Sequence, residues 1–143
     1  MTITAGAEEL EMGRWIRSVV QNDATLMGMV SGAWPELIPN DAKLPAIRYD
    51  YISGSDLMVV NGERIMTTCI YRIVVTVKSA SPSSIVAAVV RMDELFQRAA
   101  GLTPNLLVLS CVRQEPFHFT EVQNQDVYTH AGGLYQVQAQ LPD

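Results

Sequence analysis

The stretch SGSDLMVVNGERIMTTCIYRIVVTVKS, residues 53–79, decides the fold because it contains the longest predicted strand. Apolar and polar residues alternate over residues 65–78, which is typical of a strand with one buried face. The apolar residues 57–60 lead directly into an Asn61-Gly62 pair, which favours a type I′ turn. We therefore expect a β-hairpin over residues 57–66, here called the arm, that projects beyond the sheet.

Length, net charge and composition limit the classes of protein to which this chain can belong. A chain of 143 residues is the size of one domain, so residues 1–143 are predicted to form a single domain. The net charge of −5 argues against a general DNA or RNA binder, which needs a basic patch for the phosphates. Charged residues make up only 17% of the chain, which favours a surface partly covered by a partner. No apolar run is long enough to span a membrane.

Hydrophobic periodicity predicts the other elements. Helices are expected over residues 8–21 and 83–100, with a short helix capped by Asp23 between them. Strands are expected over residues 46–52, 65–78, 106–113 and 133–141. The prediction is an α+β fold of order α-(α)-β-β-α-β-β. It has a four-stranded, mainly antiparallel sheet, two helices packed on one face and the projecting arm.

Two further features concern the second half of the chain. Residues 106–113 are apolar on both faces, which favours a central strand. Residues 114–131 are predicted to form a long connection, with an extended hairpin and a second projecting arm as the alternative.

The chain offers no constellation of residues suited to catalysis. His118 and His130 are the only histidines, and they lack the spacing of a zinc site. Ser110 and Asp126 complete a triad only on paper, because Ser110 lies within a strand rather than at a turn that would expose a nucleophile. Cys69 and Cys111 are expected to be buried free thiols. We therefore expect no enzymatic activity, no metal and no cofactor.

Four segments give the chain a family resemblance. They are NDATLMGMV (22–30), WPELIPNDAKLPAIRYDY (34–51), YRIVVTVKSASPSSIVAAVVRMDELF (71–96) and YTHAGGLYQVQAQL (128–141). Together they resemble the tail completion, or tail terminator, proteins of long-tailed bacteriophages, which join the tail to the head. The resemblance extends over about residues 10–141, and residues 1–9 have no counterpart in it.

The resemblance implies a structural virion protein. Such a protein forms a ring, usually a homo-hexamer, on the last ring of tail tube protein. There it ends polymerisation of the tube and offers a surface to the head connector or head-completion protein. The implied location is the tail–head junction of a virion assembled in the cytoplasm of the bacterial host, without a membrane partner. DNA would pass through the ring without specific binding.

A closed ring requires two different patches that meet between neighbouring copies. The arm is the predicted donor patch. Val86 and Val90, on the predicted helix, are the predicted acceptor patch. The hypothetical subunit or partner interface comprises Leu57, Met58, Val59, Val60, Asn61, Gly62, Val86 and Val90. The polar sheet face is predicted to face the lumen or the tube through Arg48, Asp50, Arg72, Lys78, Gln136, Gln138 and Gln140.

Two alternatives remain open. The first is a head-completion or neck protein of the same virion, which the sequence does not separate from a terminator. The second is a dimeric α+β protein that binds a small ligand in a pocket lined by tyrosines. That pocket would use Tyr49, Tyr51, Tyr71 and Tyr135.

Overall fold

The computed structural model describes residues 6–62 and 64–140. Its α-helices are α1 (Glu8–Gln21), α2 (Ala24–Met27) and α3 (Val86–Phe96), and a 3-10 turn, Pro82–Ile85, precedes α3. Its strands are β1 (Ala33–Pro35), β2 (Ala46–Met58), β3 (Arg64–Val77), β4 (Gly101–Thr103), β5 (Leu106–Gln123) and β6 (Asp126–Gln140).

The strands form one curled, six-stranded mixed sheet in the order β1-β2-β3-β6-β5-β4. Only β1 and β2 pair in parallel; every other neighbouring pair is antiparallel. The prediction of a four-stranded sheet with two helices is therefore wrong. The two missed strands, β1 and β4, have three residues each. Strands this short are below the length at which alternation is recognisable.

Of the two predictions for residues 114–131, the long connection is wrong and the extended hairpin is confirmed, because β5 and β6 continue through this segment as one long hairpin. Asn124 and Gln125 link the two strands with φ of 51° and 70°. Positive φ at both positions is the signature of a type I′ turn. The prediction that residues 106–113 form a central strand is wrong as well, since only the short β4 lies outside β5.

The turn of the arm differs from the predicted type. Gly62 has φ 85° and its N–H donates to the Val59 carbonyl at 2.8 Å, but Asn61 is not in the positive-φ region. A type I′ turn needs positive φ at both central residues. The Asn61-Gly62 pair thus marks the hairpin without forming that turn.

The prediction for α1 is confirmed at both ends, whereas α3 is shorter than the predicted helix over residues 83–100 because a 3-10 turn occupies its first residues. Helix α1 has the predicted bounds, and Asp23 caps α2 by accepting a hydrogen bond from the Leu26 N–H at 2.8 Å. Helix α3 ends at Phe96 rather than at residue 100. Gln97 is extended and Arg98 has φ 64°, and the Arg98 N–H donates to the Cys111 carbonyl at 2.7 Å. This contact turns the chain from α3 into β4.

The main core lies between the helices and one face of the sheet. Trp15 of α1 meets Phe96 of α3 edge-on at 6.0 Å between ring centroids, and Phe96 lies 5.7 Å from Tyr135 of β6. Alternate residues of β3, namely Cys69, Tyr71, Ile73 and Val75, point into this core. Among the described helices, none is long and apolar enough to cross a membrane.

The opposite face of the sheet carries no helix and is here called the open face. It is not uniformly exposed, because Val74, Thr76 and His130 on it are buried. The sheet curls around these residues, and the segment 36–45 lies beside them at the end where β2 begins. The open face therefore has a covered end and a bare end.

Candidate functional site

The arm is a two-stranded ribbon at the bare end of the sheet. Leu57 pairs with Met66 and Met58 with Arg64, whereas the part of β6 that the structure describes pairs with β3 only as far as Thr67. On the other side, β1 pairs only with residues 47–49 of β2. Isolated two-stranded ribbons are marginally stable in water.

The arm exposes consecutive apolar side chains. Val60 at its tip is fully exposed, and Leu57, Met58 and Val59 keep 52%, 59% and 41% of their surface exposed. Single exposed apolar residues are ordinary, but a contiguous group of them marks a contact surface.

Polar contacts hold the base of the arm. The Arg64 guanidinium lies 3.5 Å from a Glu8 carboxylate oxygen of α1 and 3.8 Å from Asp56. The Thr67 hydroxyl donates to Asp56 at 2.8 Å, directly across the ribbon. The direction of the arm is therefore fixed relative to α1.

The predicted interface residues fall into two separate places. Val86 and Val90 lie on the outer side of α3 and are 54% and 52% exposed. Helix α3 begins near the end of β3, whereas the arm lies at the start of β3. One chain therefore presents the predicted donor and acceptor patches at opposite ends of the sheet.

A pocket of about 240 Å³, here called the loop pocket, lies at the covered end of the open face. One wall is the segment between β1 and β2, and the other is formed by β2, β3, β5 and β6. Its lining residues are Leu37, Ile38, Pro39, Asn40, Ala42, Leu44, Arg48, Thr76, Glu121, Gln123, Tyr128 and His130.

A chain of hydrogen bonds forms the floor of the loop pocket. Thr76 Oγ1 lies 2.7 Å from His130 Nδ1, and His130 Nε2 lies 2.7 Å from Glu121 Oε1. Phe119 stacks on the imidazole at 4.3 Å between centroids. Burial lowers the pKa of His130, and Arg48 and Arg72 act in the same direction, whereas Glu121 raises it. The net lowering favours the neutral ring.

This floor is poorly suited to nucleophilic catalysis. The Thr76 hydroxyl is buried within a strand, and both imidazole nitrogens already have partners. The triad of Ser110, a histidine and Asp126 that the sequence analysis considered does not form. The Ser110 hydroxyl donates to Gln138, and Asp126 pairs with Lys78. Within residues 6–62 and 64–140 no three potential metal ligands cluster.

The predicted lumen-facing residues lie on the open face, and three of them, Arg48, Asp50 and Arg72, pair with each other. Asp50 Oδ2 accepts from Arg72 Nε at 2.9 Å, from Arg72 Nη2 at 2.7 Å and from Arg48 Nε at 3.2 Å. The Arg72 guanidinium also lies over Phe117, 5.2 Å from its centroid. Two cations share one carboxylate, so this cluster is locally positive.

The glutamines of the predicted lumen-facing set lie nearer the arm. Gln136 accepts from Gln114 Nε2 at 3.0 Å, and Gln138 accepts from Ser110 at 3.1 Å. With Gln140 they form a half-buried row along β6. An amide row of this kind is polar without carrying charge.

The tyrosines of the ligand-binding alternative do not line a common pocket. Tyr49, Tyr71 and Tyr135 are buried under the helices, while Tyr51 is 44% exposed. The Tyr71 hydroxyl donates to the Glu9 carbonyl, and the Tyr135 hydroxyl donates to Asp93 at 2.7 Å. These contacts assign three of the four tyrosines to the core.

Sequence reasoning missed the loop pocket. Its floor comes from residues 114–131, where Phe117, Phe119 and Glu121 alternate as in a strand and for which the extended hairpin is only the alternative prediction. Continuing the hairpin would have brought Phe119 opposite His130, as the structure does. Its wall comes from an irregular segment whose path no periodicity encodes.

In comparisons with known proteins, the chain matches no protein-family model and no curated protein.

Proposed function

We propose that this protein is a tail terminator of a long-tailed bacteriophage, a ring-forming subunit that caps the tail tube and joins the tail to the head connector. The family resemblance of the sequence motivates the proposal. The observation that carries it is the arm, an apolar ribbon whose residues 57–60 are left exposed by residues 6–62 and 64–140. Such a ribbon is stabilised when a second protein surface covers it.

In this proposal the arm makes the contact between neighbouring subunits. The donor and acceptor patches differ, so each subunit uses one patch toward each neighbour, as a closed ring requires. The open face with its amide row faces the lumen or the tube. Packaged DNA then passes a polar surface on which Arg48 and Arg72 share the Asp50 carboxylate.

The mass of the purified protein tests the ring. Light scattering coupled to size-exclusion chromatography is expected to give six chains per particle at high protein concentration. A stable dimer that grows no further would contradict the ring. A monomer whose mass stays constant up to millimolar concentration, with or without purified tail tubes, would contradict the ring. A head-completion protein would bind the head connector in the absence of tubes.

A further inference from the structure

The proposed function assigns no role to the loop pocket. We infer that it receives the tip of the arm of a second copy of this chain. This inference rests on the proposed function and names a different acceptor from Val86 and Val90.

The size of the loop pocket favours side chains of a docked segment. Its volume of about 240 Å³ lies below the range of roughly 300–1,000 Å³ that small-molecule sites occupy. The arm tip offers compact aliphatic side chains, Val59 and Val60, beside the longer Met58. A pocket of this size fits such a tip better than a cofactor.

One wall of the loop pocket offers an apolar surface to a docked segment. Its polar floor is already satisfied, because Thr76, His130 and Glu121 bond to each other. The wall opposite consists mainly of aliphatic residues, and Leu37 on it is 81% exposed. An apolar tip that packs against this wall gains by covering its aliphatic surface, and it lies beside Asn40, Gln123 and Tyr128, which also line the pocket.

The occupant has to come from another copy. Arg48 in the pocket and Met58 in the arm are ten residues apart on one strand, a separation of roughly 30 Å. Because β2 runs as one strand from Ala46 to Met58, the tip does not fold back to its own pocket. Donor and acceptor at opposite ends of one strand produce head-to-tail contacts between copies.

Cysteine cross-linking tests the inference. A double variant, Val60→Cys with Ala42→Cys, places one thiol at the tip and one in the loop pocket. The native Cys69 and Cys111 are buried and do not compete. Under mild oxidation we expect a ladder of linked chains extending beyond the dimer. Each single variant is expected to give at most a dimer, because it carries one reactive thiol.

A matched double variant, Val60→Cys with Val90→Cys, tests the earlier acceptor on α3. It is expected to give no ladder. A ladder from this variant, with none from the pocket variant, would overturn the inference and leave the ring in place. No ladder from either variant would also overturn it, whether or not the wild-type chain associates.

Filling the loop pocket gives a second readout that does not depend on thiols. Ala42→Trp is expected to weaken self-association at least tenfold in sedimentation velocity, because it occupies the space that the tip needs. Leu102→Asp on β4, a site 70% exposed and outside both patches, is the control. Equal association of the wild type and Ala42→Trp would exclude the pocket as the acceptor.

Discussion

At Gly132 the sheet has no room for a side chain. A Cβ atom there would lie 2.0 Å from the Ile73 carbonyl oxygen and 2.8 Å from Val74 Cα, both backbone atoms of β3. Since a neighbouring backbone cannot swing aside as a side chain can, Gly132→Ala should destabilise the fold by about 3 kcal/mol, the upper end of overpacking effects. Urea unfolding of the wild type and of Gly132→Ala measures this difference in the free energy of unfolding.

Gly28→Ala is the matched control for that prediction. Its Cβ would meet its nearest neighbour at an ordinary 3.4 Å, and φ there is −77°. We expect a change within about 0.5 kcal/mol. Equal effects at the two glycines would show that the close approach of β6 to β3 is not a constraint.

His130 should make the stability of the protein depend on pH. Its pKa is lowered in the folded state, so the unfolded chain binds the proton more readily. The free energy of unfolding should therefore fall as the pH drops below about 6.5, the ordinary value for histidine. Urea titrations between pH 8 and pH 5 measure the effect.

Replacing His130 tests how much of the pH dependence of the free energy of unfolding this residue causes. His130→Gln should lower stability at pH 7.5 by about 1–3 kcal/mol, because it disturbs the partners of Thr76 and Glu121. His130→Gln should also reduce the loss of unfolding free energy below pH 6.5. His118→Gln, at an exposed position, is the control. An unchanged slope in His130→Gln would assign the pH dependence to other groups.

Residue patterns recovered local features better than long-range ones. The cap at Asp23 was predictable because the side chain and the N–H that it serves are three residues apart. The contact between Thr76 and His130 was not, because it depends on the pairing of β3 with β6. No single-residue signal encodes which strands become neighbours.

At the scale of elements, the arm should act in assembly rather than in folding. Val59→Asp with Val60→Asp puts two charges on side chains that are already exposed, so the folded subunit loses little. The same charges would have to be desolvated in a subunit contact, which is costly. We expect assembly to be lost and the circular dichroism spectrum to be unchanged.

Light scattering reports the assembly of this double variant. Leu102→Asp again serves as the control, since it introduces a charge at an exposed apolar position outside the arm. Rings formed by the double variant at wild-type concentrations would exclude the arm as the contact.

Elements with strong periodicity were predictable, and those defined by their neighbours were not. Helix α1 has a clear apolar stripe, and its bounds agree with the prediction. Strands β1 and β4 exist only because an edge of the sheet is available to pair with them. Helix α3 ends early because Arg98 bonds to β5, which no helix pattern anticipates.

At the scale of the whole molecule, the curled sheet separates two surfaces that can meet only between copies. The arm extends from one end, and the loop pocket and the outer side of α3 lie toward the other. This polarity gives a physical basis for a head-to-tail ring. The sequence indicated the arm, but the pocket depends on a curl of the sheet that strand patterns do not specify.

The most direct test of the terminator role is electron microscopy of lysates from a phage that lacks this gene. We expect filled heads without tails beside free or overlong tail tubes, and rescue by the wild-type gene supplied in trans. Normally joined particles of normal tail length in the mutant lysate would contradict the account.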